Sequence, residues 1–164
     1  MYQPKPPIIR APVQVHPANF YDRIAGAAHR FGDRPAIEMT EASGGSLTYR
    51  DLVSTATRFA AWLASEGRVG RGDRVAILAA NDGRWVAAYL GILRLGAVAV
   101  PLDVAYSADQ VRTVLADCTA RVLLTSRQAM SSYPLVHRRA VKPLSLADSH
   151  ALVESELERR GLDR

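Results

Sequence analysis

A single cysteine in 164 residues, Cys118, excludes an internal disulfide and any cysteine-based zinc site. Long hydrophobic runs are missing too. The longest, Gly96 to Leu102, falls far short of the ~20 apolar residues of a membrane-spanning helix. The opening Met1-Tyr2-Gln3-Pro4-Lys5-Pro6-Pro7 has none of the apolar stretch of a secretory signal. Together these absences point to the reducing cytoplasm. Lysine is almost absent: Lys5 and Lys142 stand against nineteen arginines, within 21 basic residues. That bias, beside abundant alanine, fits genomic base composition better than selection for a phosphate backbone. The net charge of +5 is also dispersed, with 14 basic and 11 acidic residues in 1–126 and 7 and 5 in 127–164. The densest group is His137-Arg138-Arg139 with Lys142. Nucleic-acid binders gather cations on one face or stripe, so no nucleic-acid partner is expected.

What is present is ordinary globular composition, 48% hydrophobic and 23% charged, with a mean hydropathy of −0.04. Five of the nine prolines lie in residues 1–18, which read as an extended arm. Ordered structure is predicted from Asn19, which stands three residues before Asp22 as a capping pair. Phe20, Ile24, Ala27, Ala28 and Phe31 then share a helical face, with Gly32 as a left-handed cap. Residues 35–40 and 46–48 read as a short hairpin around a turn at 41–45. Thr48-Tyr49-Arg50-Asp51 is a capping box opening a helix with Leu52, Ala56, Phe59, Ala60 and Leu63 as its core stripe.

The chain then alternates. Residues 74–80, 97–102 and 120–125 are apolar runs of the kind that lie buried on both faces of a parallel sheet. Between them stand two helices. Asn81 is the expected cap of one, which carries Trp85, Ala88, Tyr89, Ile92 and Leu95 and closes at Gly96; Ser107 and Gln110 open the other, with Val111, Val114, Leu115 and Cys118. Strand, helix, strand, helix, strand with short links implies right-handed crossovers. The expected fold is α/β, a three-layer, doubly wound, mostly parallel sheet with helices on both faces. Beyond residue 126 the signals weaken to a helical turn at 128–133, an edge strand at 143–146 and a helix over 150–160 bearing Glu154, Glu156 and Glu158.

Chemistry is hard to find by residue type. No Gly-x-Gly-x-x-Gly, Walker loop or Gly-x-Ser-x-Gly elbow occurs. The glycine-rich Gly67-Arg68-Val69-Gly70-Arg71-Gly72 precedes a strand, whereas a phosphate cradle follows one at a helix start, so it reads as a turn. His16, His29, His137 and His150 show no ligand spacing, and Glu38 with Glu41 looks like a solvated face. Cys118 reads as a small hydrophobe near a helix C-terminus, where the dipole disfavours a thiolate. Asn81, Asp82 and Asp103 each follow a strand end, where doubly wound sheets bind ligands. Capping and turn roles explain the same residues.

Three stretches add what residue types do not. They are Leu47-Thr48-Tyr49-Arg50-Asp51-Leu52, Gly72-Asp73-Arg74-Val75-Ala76-Ile77 and Arg94-Leu95-Gly96-Ala97-Val98-Ala99-Val100-Pro101-Leu102-Asp103. With Phe31-Gly32-Asp33-Arg34-Pro35-Ala36-Ile37 before them, they strongly resemble, in order and spacing, the opening of the AMP-forming acyl-adenylate ligases. That superfamily includes acyl-CoA synthetases, peptide-synthetase adenylation domains and luciferases. The first and third stretches match its motifs L-[TS]-Y-x-E-L and L-[KR]-x-G-[AG]-x-x-V-P-[LI]-D. The resemblance covers about residues 19–126 and implies the N-terminal subdomain of the ligase fold, with 127–164 continuing it up to a point before the phosphate loop.

The resemblance further implies a parent enzyme that activates a carboxylic acid with ATP and Mg²⁺ and passes it to coenzyme A or a carrier-protein thiol. The style of the match leans toward a long-chain fatty acyl-CoA synthetase rather than a peptide-synthetase adenylation domain. The family's phosphate loop, Tyr-Gly-x-Thr-Glu motif, ribose-binding aspartate, hinge and catalytic lysine have no counterpart in this chain. The matched motifs are therefore scaffold. No catalytic, cofactor-binding or metal residue is assigned here, no cofactor is expected in this chain, and the chain alone is expected to be inactive. Its expected partner is the remainder of the ligase, with self-association through apolar surface that the remainder would cover. A naturally truncated binding or oligomerising module, or an unrelated small nucleotide binder, are the competing readings.

Overall fold

A computed structural model of the protein describes residues 19–39, 45–126 and 142–145. Its elements run α1 (Phe20–Phe31), β1 (Pro35–Glu38), β2 (Ser46–Thr48), α2 (Tyr49–Ser65), β3 (Arg74–Leu78), α3 (Gly83–Arg94), β4 (Val98–Pro101), α4 (Ala108–Asp117), β5 (Val122–Thr125) and β6 (Lys142–Ser145). The main sheet has the order β4-β3-β5-β6, parallel throughout, while β1 and β2 form a separate antiparallel hairpin. The strand expected at 143–146 is β6, on the edge beside β5. The arm at 1–18, the turn at 128–133 and the helix at 150–160 lie outside the described residues.

Side-chain alternation along the strands divides the core in two. Val75 and Ile77 of β3, with Val122 and Leu124 of β5, face a large cluster with Leu52, Ala56, Phe59 and Leu63 of α2 and Ala87, Ala88, Leu90 and Ile92 of α3. Ala76, Leu78 and Leu123 face the opposite way, onto Val111 and Leu115 of α4. Helices therefore cover both faces of the sheet. This is the expected three-layer fold, and the expected α2 stripe is buried in full.

Helix starts follow the sequence closely, because a capping pair acts within four residues. Asn19 with Asp22, Thr48 with Asp51 and Ser107 with Gln110 all form reciprocal capping boxes. Asp51 illustrates the electrostatics. The Thr48 hydroxyl, 2.6 Å away, and then the Thr48 amide at 3.2 Å hold its carboxyl below the usual carboxylate range. A depressed folded value means this stabilisation is complete above the unfolded value of ~3.9 and is lost as pH falls through the folded one. Asp51→Asn should therefore lower the urea midpoint at neutral pH, the loss in stability staying below the ~1 kcal/mol of a removed N-cap because Thr48 still caps the helix. Upon acidification the wild-type and variant curves should converge. A gap that stays constant down to strongly acidic pH would refute the assignment.

Three expectations need correction. The first helix buries Tyr21 (4% exposed), half-buries Ile24, Ala25, Ala27 and Ala28, and leaves Phe20 at 56% and Phe31 at 38% exposed. Its rotation is set by α2 and α3: the Asn19 side-chain amide donates to Leu93 O at 3.0 Å, Tyr21 Oη lies 3.1 Å from Thr57 Oγ1, and the Arg94 guanidinium covers the Tyr21 ring. Gly32 is not left-handed (φ −41°). A Cβ there would stand 2.8 Å from Arg50 Nη2, the end of a flexible side chain, and 3.0 Å from Ala28 O, so the space is tight but the backbone itself does not call for glycine.

The run 97–102 is not covered on both faces. Among the described residues its strand β4 is an edge, and Val98 is 47% exposed. Val98 N donates to Asp73 O and Leu102 N to Ile77 O, so by alternation the amides of Ala99 and residue 101 point away from β3. Residue 101 is Pro101, which has no N–H to offer a further strand.

Candidate functional site

Open parallel sheets place ligands beyond the carboxyl ends of their strands. Among the described residues that rim consists of 79–82 after β3, 102–106 after β4, and Thr125, the last residue of β5, with Ser126. It gathers the three residues marked by sequence, Asn81, Asp82 and Asp103, and adds Thr125.

Asn81 is exposed and does not cap α3. Asp82 does: extended at φ −138°, it accepts the Trp85 amide on Oδ1 at 2.8 Å, and its Oδ2 takes Arg84 Nε at 3.2 Å. The helix starts one residue late because Gly83 is wedged under the hairpin. Its amide donates to Met39 Sδ, and a Cβ would lie 2.5 Å from Leu47 Cδ1. Asp103 holds its own loop, with Ala105 N donating to Oδ1 at 2.9 Å and Tyr106 N to the Asp103 carbonyl. Thr125, buried, donates its hydroxyl to Leu78 O at 2.9 Å and ties β5 to β3 at the rim. Sequence reasoning passed over Thr125 and Gly83. A hydroxyl ending the apolar run 122–125 was the available sign for the first; the second rests on a contact 36 residues away, from Gly83 to Leu47, that no local pattern contains.

The remaining marked residues lie elsewhere. Gly67–Gly72 is at the opposite end of the sheet, ahead of β3, where Gly70 N donates to Asp73 Oδ2 and Gly72 N to Gly96 O. It is a helix-to-strand turn, with Arg68 and Gly72 at positive φ. His29 is exposed on α1 and Glu38 on β1. Cys118 is half-buried at the end of α4, its Sγ 3.7 Å from Leu115 O. Glu41, His16, His137, His150, Arg138, Arg139, Glu154, Glu156 and Glu158 lie outside the described residues.

At the start of α3, where a phosphate would need free amides, Gly83, Trp85 and Val86 already donate to Met39, the Asp82 side chain and the Asp82 carbonyl. Among the described residues no three His, Cys, Asp or Glu side chains come together to hold a metal ion. What the described rim can do is present a rigid edge: capped helix starts, a closed loop, and Val104 and Tyr106 exposed between them.

Comparison with known proteins gives the chain its family. The model of the family described as AMP-binding enzyme matches residues 24–161. The 3-hydroxybenzoate–CoA/4-hydroxybenzoate–CoA ligase of Thauera aromatica is 35% identical over 127 residues, 76% of this chain and 24% of that protein. The N-(5-amino-5-carboxypentanoyl)-L-cysteinyl-D-valine synthase of Streptomyces clavuligerus is 36% identical over 107 residues, 65% of this chain and 13% of that one. Among solved structures, the N-terminal subdomain of Klebsiella oxytoca NpsA in complex with 3-hydroxybenzoyl-AMSN superposes with a TM-score of 0.67 at 26% identity, covering 82% of this chain and 31% of that one. The chain thus spans less than a third of the length of each.

Proposed function

The chain belongs to the AMP-binding enzyme family, and from that premise we propose that it supplies the N-terminal scaffold of an ATP-dependent ligase joining an aromatic carboxylic acid to a thiol. The observation carrying this reading is the family match over 24–161 together with the 35% identity to a hydroxybenzoate–CoA ligase. The aromatic choice is supported by the hydroxybenzoyl group named for both that relative and the NpsA complex. It replaces the long-chain fatty acid expected from the style of the motifs, which no relative named above carries. Thr48, Asp51, Gly96 and Pro101, at the heart of the matched motifs, cap helices and finish a strand. Their work is structural, while the remainder of the ligase supplies the nucleotide chemistry with ATP, Mg²⁺ and a thiol such as coenzyme A.

ATP–pyrophosphate exchange tests this on the chain extended through the rest of the ligase. Exchange stimulated by 3-hydroxybenzoate above long-chain fatty acids and amino acids is the expected result. Stimulation by a fatty acid alone would sink the substrate assignment, and no stimulation by any acid would sink the ligase. The chain of 164 residues by itself should show no exchange and retain no ATP in equilibrium dialysis at millimolar nucleotide; retention would favour a nucleotide-binding module instead. A second reading, an adenylation domain of a peptide synthetase, is favoured by the identity to the Streptomyces synthase. Stimulation by an amino acid, with transfer to a carrier protein rather than coenzyme A, would select it.

A further inference from the structure

The outer face of α1 is a patch that neither the core nor the rim uses. Phe20 and Phe31, at its two ends, return to the same side of the helix after three turns of ~3.6 residues and stand about 16 Å apart along its axis. Both are exposed, and Arg23 and Arg30 are exposed on one flank of the stripe they define. Arg34, just past the helix, is exposed too, and the guanidinium groups of Arg30 and Arg34 each sit 5.3 Å from the Phe31 ring centroid.

The excess of positive charge gathers at the same place. Residues 1–34 hold five basic and two acidic residues, whereas 35–126 hold nine of each. Neither acid of 1–34 compensates the face. Asp22 accepts the Asn19 amide in the capping box, and Asp33 is held by Arg50 at 3.0 Å. Among the described residues none of Arg23, Arg30 and Arg34 pairs with a carboxylate. Two exposed rings flanked by three uncompensated cations fit a partner that offers anions above an apolar layer.

A second copy of the face would set cations against cations. An acidic peptide could pair the arginines, but the convex edge of a single helix gives it no groove in which to cover both ends of the stripe. A phospholipid surface meets both demands. Its phosphates accept guanidinium groups bidentately, and the acyl boundary beneath them takes in aromatic rings along a helix lying in the plane.

We infer that the outer face of α1 docks on an anionic phospholipid surface, with Phe20 and Phe31 entering the acyl boundary and Arg23, Arg30 and Arg34 held at the phosphates. Two rings and three charges make a reversible contact, weaker than a stable anchor.

Co-sedimentation of the 164-residue chain with sucrose-loaded vesicles tests the inference. The chain should pellet with vesicles of phosphatidylcholine mixed with phosphatidylglycerol and stay in the supernatant with phosphatidylcholine alone. R23Q/R30Q/R34Q should lower the partition coefficient about 100-fold, at roughly fivefold for each cation near an anionic surface. F20A/F31A should lower it about 10-fold, because ring burial adds to charge attraction. Thermal midpoints close to wild type check that both variants are folded, as expected for exposed side chains. No binding to the mixed vesicles would overturn the inference, and so would equal binding to both kinds. Loss of binding in K5Q/R10Q but in neither α1 variant would overturn it as well, by placing the contact on the arm. Retention on poly-glutamate without vesicle binding would assign the face to an acidic protein instead.

Discussion

Phe59→Ala should destabilise the protein by about 3–5 kcal/mol, the range for removing a fully buried aromatic ring and leaving a cavity. Phe59 is 2% exposed at the centre of the larger core cluster, on the face of α2 that meets α3. In a chain of this size that loss corresponds to a fall of roughly 10 °C in Tm. Phe59→Leu keeps much of the volume and should cost less than about 1.5 kcal/mol. Thermal and urea unfolding of both variants gives the comparison. Similar small losses for the two would mean that the α2–α3 interface collapses around the cavity, contrary to the packing described.

The second large effect has the opposite cause, too much volume. At Gly91 a Cβ would stand 2.8 Å from Ala56 O, 2.9 Å from Phe59 Cβ and 3.1 Å from Ala60 N. Two of those atoms are backbone and the third is fixed to it, so no rotamer change relieves the contact and the helices must part. Alanine gains ~1 kcal/mol over glycine in helix propensity, and overpacking costs about 1–3. The clash wins. Gly91→Ala should lose roughly 1 kcal/mol and Gly91→Leu about 3 or more. Gly26, in α1 with nothing within 4 Å of its virtual Cβ, is the control: Gly26→Ala should stabilise by up to ~1 kcal/mol. Denaturant midpoints of the three variants decide it, and a stabilising Gly91→Ala would refute the close helix contact.

The candidate site was partly legible. Asn81, Asp82 and Asp103 all arrive at the carboxyl rim because each follows an apolar run, and the run ends where its strand ends. Their roles divided differently. Asp103 closes its loop as expected, since an aspartate bonding two residues ahead is a local event. The cap of α3 moved from Asn81 to Asp82, because Gly83 is drawn beneath Leu47 and Met39 of the hairpin. Local preference allowed either residue, and a tertiary contact chose.

The same division runs through the whole chain. The sequence by itself determined the element order, three of the four helix starts, the parallel sheet and the place of Thr48, Asp51, Gly96 and Pro101 in it. Capping, turn chemistry and apolar periodicity act within a few residues and carry their own signal. Only the tertiary structure decided that β4 lies at an edge among the described strands, that α1 turns Tyr21 inward and Phe20 and Phe31 outward, and that Gly91 is a glycine because the backbone of α2 presses on it. Those outcomes depend on which surfaces meet. An apolar face reads the same in sequence whether or not a neighbour arrives to cover it.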